Sequence, residues 1–147
     1  MESLLYVVLA LLAGATAPVQ AGINSRLRES WAGDAVTASL VSFVVGTLAL
    51  ACYLVATRTP WPGLPARVPW WQWSGGVLGA FFVTMTIFLS WRLGATAMFA
   101  LVVAGQLAAS LALDHWGLLG YPAQPMSWGR VLGAGLLVAG VVLVRRG

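Results

Sequence analysis

Charge is scarce in this 147-residue chain, and one kind is missing altogether. There is no lysine: eight arginines stand against four acids, so the net charge of +4 rests on guanidinium groups alone. Charged residues make up 8% of the chain, against roughly 25% in a soluble domain, which is too few to cover a water-facing surface. The arginines lie where apolar stretches end and form no basic stripe, which argues against nucleic acid as a partner. A single cysteine, Cys52, excludes an internal disulfide and a thiolate cluster. Lying inside an apolar stretch, it is expected to be a buried, inert thiol. The single histidine, His115, follows Asp114 but has no second His or Cys to share a metal, so neither metal nor cofactor is expected. There is no pair of carboxylates within the apolar stretches and no phosphate-binding glycine loop. The chain does not read as an enzyme.

What is abundant is uninterrupted apolar sequence. Five stretches, at 4–20, 36–56, 74–91, 95–113 and 128–144, are nearly free of charge, and each approaches the roughly 17–25 residues that carry a helix across a bilayer. The pattern predicts an all-α membrane protein with helices over 4–22, 35–56, 73–91, 94–114 and 128–145, forming one five-helix domain over 1–147. Val19-Gln20-Ala21 loosely resembles a signal-peptidase site. The segment before the first stretch, Met1-Glu2-Ser3, lacks the positive charge of a signal peptide, so this stretch is read as a retained helix. The second loop carries Pro60, Pro62, Pro65 and Pro69 and is expected to be extended. The third link, around Arg92-Leu93-Gly94, is short enough to predict an antiparallel hairpin of helices three and four. All eight tryptophans (31, 61, 70, 71, 73, 91, 116 and 128) fall in loops or at span ends, as in an interfacial aromatic belt.

Five spans place the two ends of the chain on opposite sides of the membrane. Arg58, Arg67 and Arg130 then share one side, and Arg26, Arg28, Arg92, Arg145 and Arg146 the other. Taken literally, this split puts the C-terminus in the cytoplasm. Its small size suggests a chain that inserts both ways.

Polar residues recur at helical spacing. In helix four, Ala100, Ala104, Ala108 and Ala112 form a smooth packing face. Gln106 lies about 200° around from Ala104, with Ser110 and Asp114 following at i+4 and i+8. Gln106 is either interhelical glue or a pathway-lining residue. Helix one carries Thr16, Gln20 and Asn24 at the same spacing, with Pro18 among them predicting a kink or an opened carbonyl. Ser39, Ser42 and Gly46 share a face of helix two, and Thr86 and Ser90 a face of helix three; these are packing residues or pathway residues. Gly75-x-x-x-Gly79 and Gly129-x-x-x-Gly133 read as helix-packing motifs. Helix five is otherwise aliphatic and reads as structural. Trp91 either stacks on a solute or anchors at the interface. Asp114 is either a coupling or gating group or the cap of a loop near Arg130.

Several of these residues, in this order, resemble the YdcZ-type small membrane proteins of the drug/metabolite transporter (EamA-like) superfamily. The carriers are Gln20 with Ile23-Asn24, Ser42-Phe43-x-x-Gly46, and Trp73-x-Gly75-Gly76-x-Leu78-Gly79-Ala80. Gly94-Ala95, Gly105-Gln106-Leu107 and Asp114-His115-x-Gly117 complete the set. The resemblance covers essentially the full length. It implies half of an antiparallel ten-helix, inverted-repeat assembly, made by a homodimer or with a paralogous subunit, and inverted repeats around a midplane site are a general transporter design. Related four-helix multidrug exporters use a membrane-embedded glutamate in helix one. Here the only acids are Glu2, Glu29, Asp34 and Asp114, none deep in a span. The resulting expectation is a multi-pass inner-membrane transporter subunit that moves a small organic solute, a drug or metabolite, by alternating access as a dual-topology antiparallel homodimer. Gln106, Ser110, Gln20, Asn24, Thr16, Ser42 and Trp91 are its expected pathway residues. The expected partners are the lipid bilayer, a second copy or paralogue, and the solute. The alternative is a non-transporting membrane scaffold or accessory subunit, for which the two polar stripes would have no use.

Overall fold

A computed structural model describes residues 2–63 and 68–146, with side chains from residue 4 onward. Pro65 and Arg67, assigned above to the second loop, and the side chain of Glu2 lie outside the described residues. Among the described residues the chain is helical and without strands. Its helices are α1 (Glu2–Leu27), α2 (Ala35–Ala56), α3 (Ser74–Leu93), α4 (Ala95–Trp116) and α5 (Trp128–Arg146). All five are long and apolar enough to cross a membrane. Most large apolar side chains point outward, among them Leu4, Leu11, Leu50 and Leu136. That would be untenable in water and is ordinary against lipid, where a helix satisfies its own backbone. Cys52 belongs to this outer surface, so the expectation of a buried thiol is corrected. Apolar sequence in a span does not separate core from lipid, because both are apolar.

The first helix departs from the expected boundary. Instead of ending at 22, it runs to Leu27 and continues as one wide helical turn, Arg28–Ala32. The expected first loop is therefore mostly helix. No glycine or proline interrupts 23–32; Arg26 complements the negative helix C-terminus, and its guanidinium reaches Glu29 at 3.4 Å. The stop comes at Gly33, whose backbone at φ +80° donates its N–H to the Arg28 carbonyl at 2.9 Å; only glycine reaches such a φ cheaply. Together the 29 residues of Leu4–Ala32 extend about 43 Å at 1.5 Å per residue, beyond the ~30 Å hydrocarbon core. The helix is continuous through Pro18.

The chain divides into two compact units, Met1–Arg92 and Leu93–Gly147. In the first, Asp34 caps α2: its Oδ1 accepts from the Val36 and Thr37 N–H groups at 2.8 and 3.0 Å, and its Oδ2 from the Thr37 hydroxyl at 2.5 Å. Ala38, Val83 and Ile87 form the small core, flanked by Leu27, Ala35 and Phe82. Hydroxyls tie the helices together. Thr84 donates to Ser39 at 2.9 Å, and Ser25 and Ser90 share a hydrogen bond at 2.5 Å. Gly79 lets the Phe43 ring approach to 3.4 Å from where a Cβ would stand, whereas Gly75 faces open space. Only one glycine of that motif meets a neighbouring helix here.

In the second unit, α4 and α5 pack along one another. Gly117 ends α4 in the left-handed conformation, φ +60°. A Cβ there would stand 3.1 Å from the Ala123 Cβ, so both conformation and space demand glycine. The segment 117–127 folds back on the end of α4: the Gln124 N–H donates to the Asp114 carbonyl at 2.7 Å, and the Met126 N–H to His115 Nδ1 at 3.2 Å. Of the alanine stripe, Ala100, Ala104 and Ala112 are half-buried and Ala108 is exposed.

Candidate functional site

Residues spaced four apart drift by about 40° per step around a helix of 3.6 residues per turn, so a three-residue stripe spreads over about 80°. That drift decides which polar residues come together. On α1, Thr16 and Gln20 are exposed, whereas Asn24 has turned inward and is only 4% exposed. All three line a cleft of about 340 Å³ between α1 and α2, opposite Val41, Ser42 and Val45. Gln20 and Ser42 also line its neighbour, about 230 Å³, with Gly46 and Thr47. Among the described residues, no charged one lines either cleft. Thr16 spends its hydroxyl proton on the Ala13 carbonyl at 2.7 Å, leaving its oxygen free to accept. The Asn24 Nδ2 group is buried and has no hydrogen-bond partner among the described residues, an expensive state for an amide donor.

The other serines and threonines singled out above separate into different jobs. Ser39, Thr86 and Ser90 are bonded within the first unit, to the carbonyls of Ala35, Val83 and Ile87 at 2.8, 2.9 and 3.0 Å. They act as packing residues. Of its face, Ser42 lines both clefts and Gly46 the smaller one, whereas Ser39 lines neither.

The stripe on α4 is divided by the same drift. Ser110 and Asp114 line a cleft of about 440 Å³ between α4 and α5, with Leu107, Leu111, Arg130 and Gly133. Gln106 is exposed and is not among the residues that line it. The single polar face expected over Gln106, Ser110 and Asp114 is thus two surfaces. Arg130 lines the same cleft: its guanidinium reaches the Asp114 carboxylate at 3.4 Å and the Gln124 carbonyl at 3.2 Å, and also bonds the Gln124 side-chain oxygen. Gly133, read above as a packing residue, has open space around it and borders this cleft.

Trp91 is half exposed, but its ring is already engaged. The Arg28 and Arg92 guanidinium carbons stand 5.3 and 4.8 Å from its ring centroid, within cation–π range. A stacking surface for a flat cation is therefore occupied by the chain's own arginines. Arg28 also pairs with Glu29 at 3.5 Å. In the sequence Arg28 is the next step of the stripe Thr16, Gln20, Asn24, but only a helix that continues past residue 22 puts it on that stripe. Gln124 carried no such signal, since only the fold brings it to Arg130.

Five long apolar helices carrying small polar clefts, two lined by neutral residues and one bordered by Asp114 and Arg130, define a polytopic membrane protein. The chain belongs to the family described as "Putative inner membrane exporter, YdcZ", whose model matches residues 5–143. It is 40% identical over 83 residues to the inner membrane protein YdcZ of Escherichia coli (strain K12). That match covers 56% of this chain and 55% of the relative, so the chain spans about half the length of the curated relative it matches. No solved structure matches it. Family and helices together make this a multi-pass inner-membrane protein.

Proposed function

We propose that the chain is one subunit of an inner-membrane transporter that moves a small organic solute by alternating access, assembled as a dual-topology antiparallel homodimer. The observation that supports this most is the α1–α2 cleft. There Thr16, Gln20, Asn24 and Ser42, from two helices, give neutral donors and acceptors to an otherwise apolar groove. Polar groups inside membrane helices are costly and tend to serve a pathway or a partner. Solute enters this cleft; in the second unit Gln106 and Ser110 are further pathway residues, and the Asp114–Arg130 pair serves as a gate whose breakage opens the α4–α5 cleft.

The test is solute uptake in proteoliposomes, normalised to assembled protein. Gln20→Ala and Asn24→Ala are expected to lower uptake while the protein still inserts. Each lost neutral hydrogen bond to a desolvated solute costs roughly 0.5–1.5 kcal/mol, about tenfold in affinity at the upper end. Val138→Ala, on the exposed surface of α5, is expected to leave uptake unchanged. Wild-type uptake by both cleft variants would end the proposal.

A further inference from the structure

We infer that the first unit binds the phosphate of an anionic phospholipid where the C-terminal ends of α1 and α3 meet, with Arg92 as the principal donor and Arg28 and Arg26 adding charge around it. The binding requires only that the chain spans a membrane, and stands apart from transport. Three guanidinium groups gather at that end. The Ser25–Ser90 hydrogen bond, 2.5 Å, ties the two helices together there. The Trp91 ring holds the Arg28 and Arg92 guanidinium carbons at 5.3 and 4.8 Å from its centroid. Arginine keeps its charge at any working pH, so these two repel one another unless an anion lies beside them.

The acids nearby in sequence do not supply that anion to Arg92. Glu29 gives one oxygen to Arg26 at 3.4 Å and the other to Arg28 at 3.5 Å. Asp34 spends both of its oxygens on the N-terminus of α2. Among the described residues Arg92 has no carboxylate within ion-pair distance. Three arginines against the single acid Glu29 leave positive charge in excess at this end.

Position favours a lipid over an anion in water. The first helix outruns the hydrocarbon core and carries its charges at its C-terminal end, so Arg26 and Arg28 stand in the headgroup layer. An arginine at a span end ordinarily reaches outward to water. Arg92 instead turns back along α3, its guanidinium carbon 4.6 Å from the centroid of the Phe88 ring, about one turn nearer the bilayer. Phe81, about two turns further in, lies on the same side of α3, and both phenylalanines are on the outer surface. A phosphate on the Arg92 fork, which matches two phosphate oxygens, thus has an apolar track beneath it for an acyl chain. Basic sites between membrane helices bind anionic headgroups by the same chemistry.

The test titrates the purified full chain, in a non-ionic detergent, with dilauroyl phosphatidylglycerol or dilauroyl phosphatidylcholine and counts bound lipid by native mass spectrometry. Phosphatidylglycerol is expected to fill a saturable site about tenfold more tightly than phosphatidylcholine, the worth of one charge-assisted hydrogen bond. Arg92→Gln is expected to abolish that preference. Arg92→Lys, which keeps the charge and loses the fork, is expected to bind phosphatidylglycerol several-fold less tightly than wild type and serves if the glutamine variant does not fold. Replacing Arg145 and Arg146 together by Gln is expected to leave the preference intact. Equal affinity of wild type for the two lipids would overturn the inference. So would a preference that survives in both Arg92 variants, or one lost as fully from the Arg145 and Arg146 variant. Inorganic phosphate added to the lipid-loaded chain is expected to leave phosphatidylglycerol bound; its displacement would make this a site for a soluble anion and overturn the lipid assignment.

Discussion

Asp34 shows how one side chain can set a helix boundary in this chain. Its carboxylate lies below the usual carboxylate range, chiefly because the Thr37 hydroxyl donates to it, with the Thr37 and Val36 N–H groups adding to the effect. A folded-state pKa lower than the unfolded one means that the cap stabilises α2 when ionised. That contribution is complete above the unfolded value of roughly 3.9 and fades as pH falls through the folded one. Asp34→Ala is therefore expected to melt below wild type at neutral pH, with the gap narrowing on acidification. Asp34→Asn keeps a capping oxygen without a titrating charge, and its melting difference from Asp34→Ala is expected to stay level across the same series. Thermal midpoints measured from neutral to acid pH check both, and a constant wild-type-to-alanine gap would contradict the assignment. Asn24 is the opposite kind of residue: its donor is buried without a partner among the described residues, a cost rather than a gain to the helix that carries it. Its place on the Thr16–Gln20 stripe was legible in the sequence. Its burial was not, because the 80° drift of the stripe matters only once α2 is in place.

At the scale of the element, lipid made the helices easy to read and their ends hard. A bilayer demands about twenty apolar residues per crossing, so five spans stood out, and the tryptophans at their ends marked the interfaces. Past the interface that demand lapses, and α1 continues through a segment whose charges suggested a loop. Packing was partly legible: the small residues at 75 and 79 named a contact, but only Gly79 meets a neighbour, at the Phe43 ring. Gly79→Ala would place its Cβ at 3.4 Å, ordinary contact, and is expected to be tolerated. Gly79→Leu has nowhere to go without moving Phe43 and is expected to cost about 1–3 kcal/mol as an overpacked site; equilibrium unfolding in mixed detergent micelles reads the difference. The segment 117–127 depends instead on Arg130, which holds Gln124 from two sides. Arg130→Ala is expected to speed hydrogen exchange at the Gln124 and Met126 amides and leave those of α2 and α3 unchanged. Equal protection in the variant would show that the backbone bonds alone hold the segment.

For the molecule as a whole, the scarcity of charge noted first has its largest consequence in orientation. Arginines near span ends direct insertion, and acids contribute little. The pairing of Arg26 and Arg28 with Glu29, and of Arg130 with Asp114, therefore does not remove them from the count. Three arginines against five, without a lysine to add to either side, is a small bias over five crossings. If both orientations arise from one sequence, an antiparallel pair can form without a second gene product, which is the assembly proposed above. A reporter fused after Arg146 is then expected to be active on both sides of the membrane. Replacing Arg145 and Arg146 by Ala and adding two arginines beside Arg58 changes the split from three against five to five against three. That variant is expected to move the reporter toward the periplasm. Co-expressing it with a counterpart locked the other way, by arginines added beside Arg92, is expected to restore uptake that neither locked form supports alone. A wild-type reporter confined to one side would remove the homodimer and require an oppositely inserted paralogue. Full uptake by a single locked form would remove the antiparallel pair itself, because only copies of one orientation would be present to do the work.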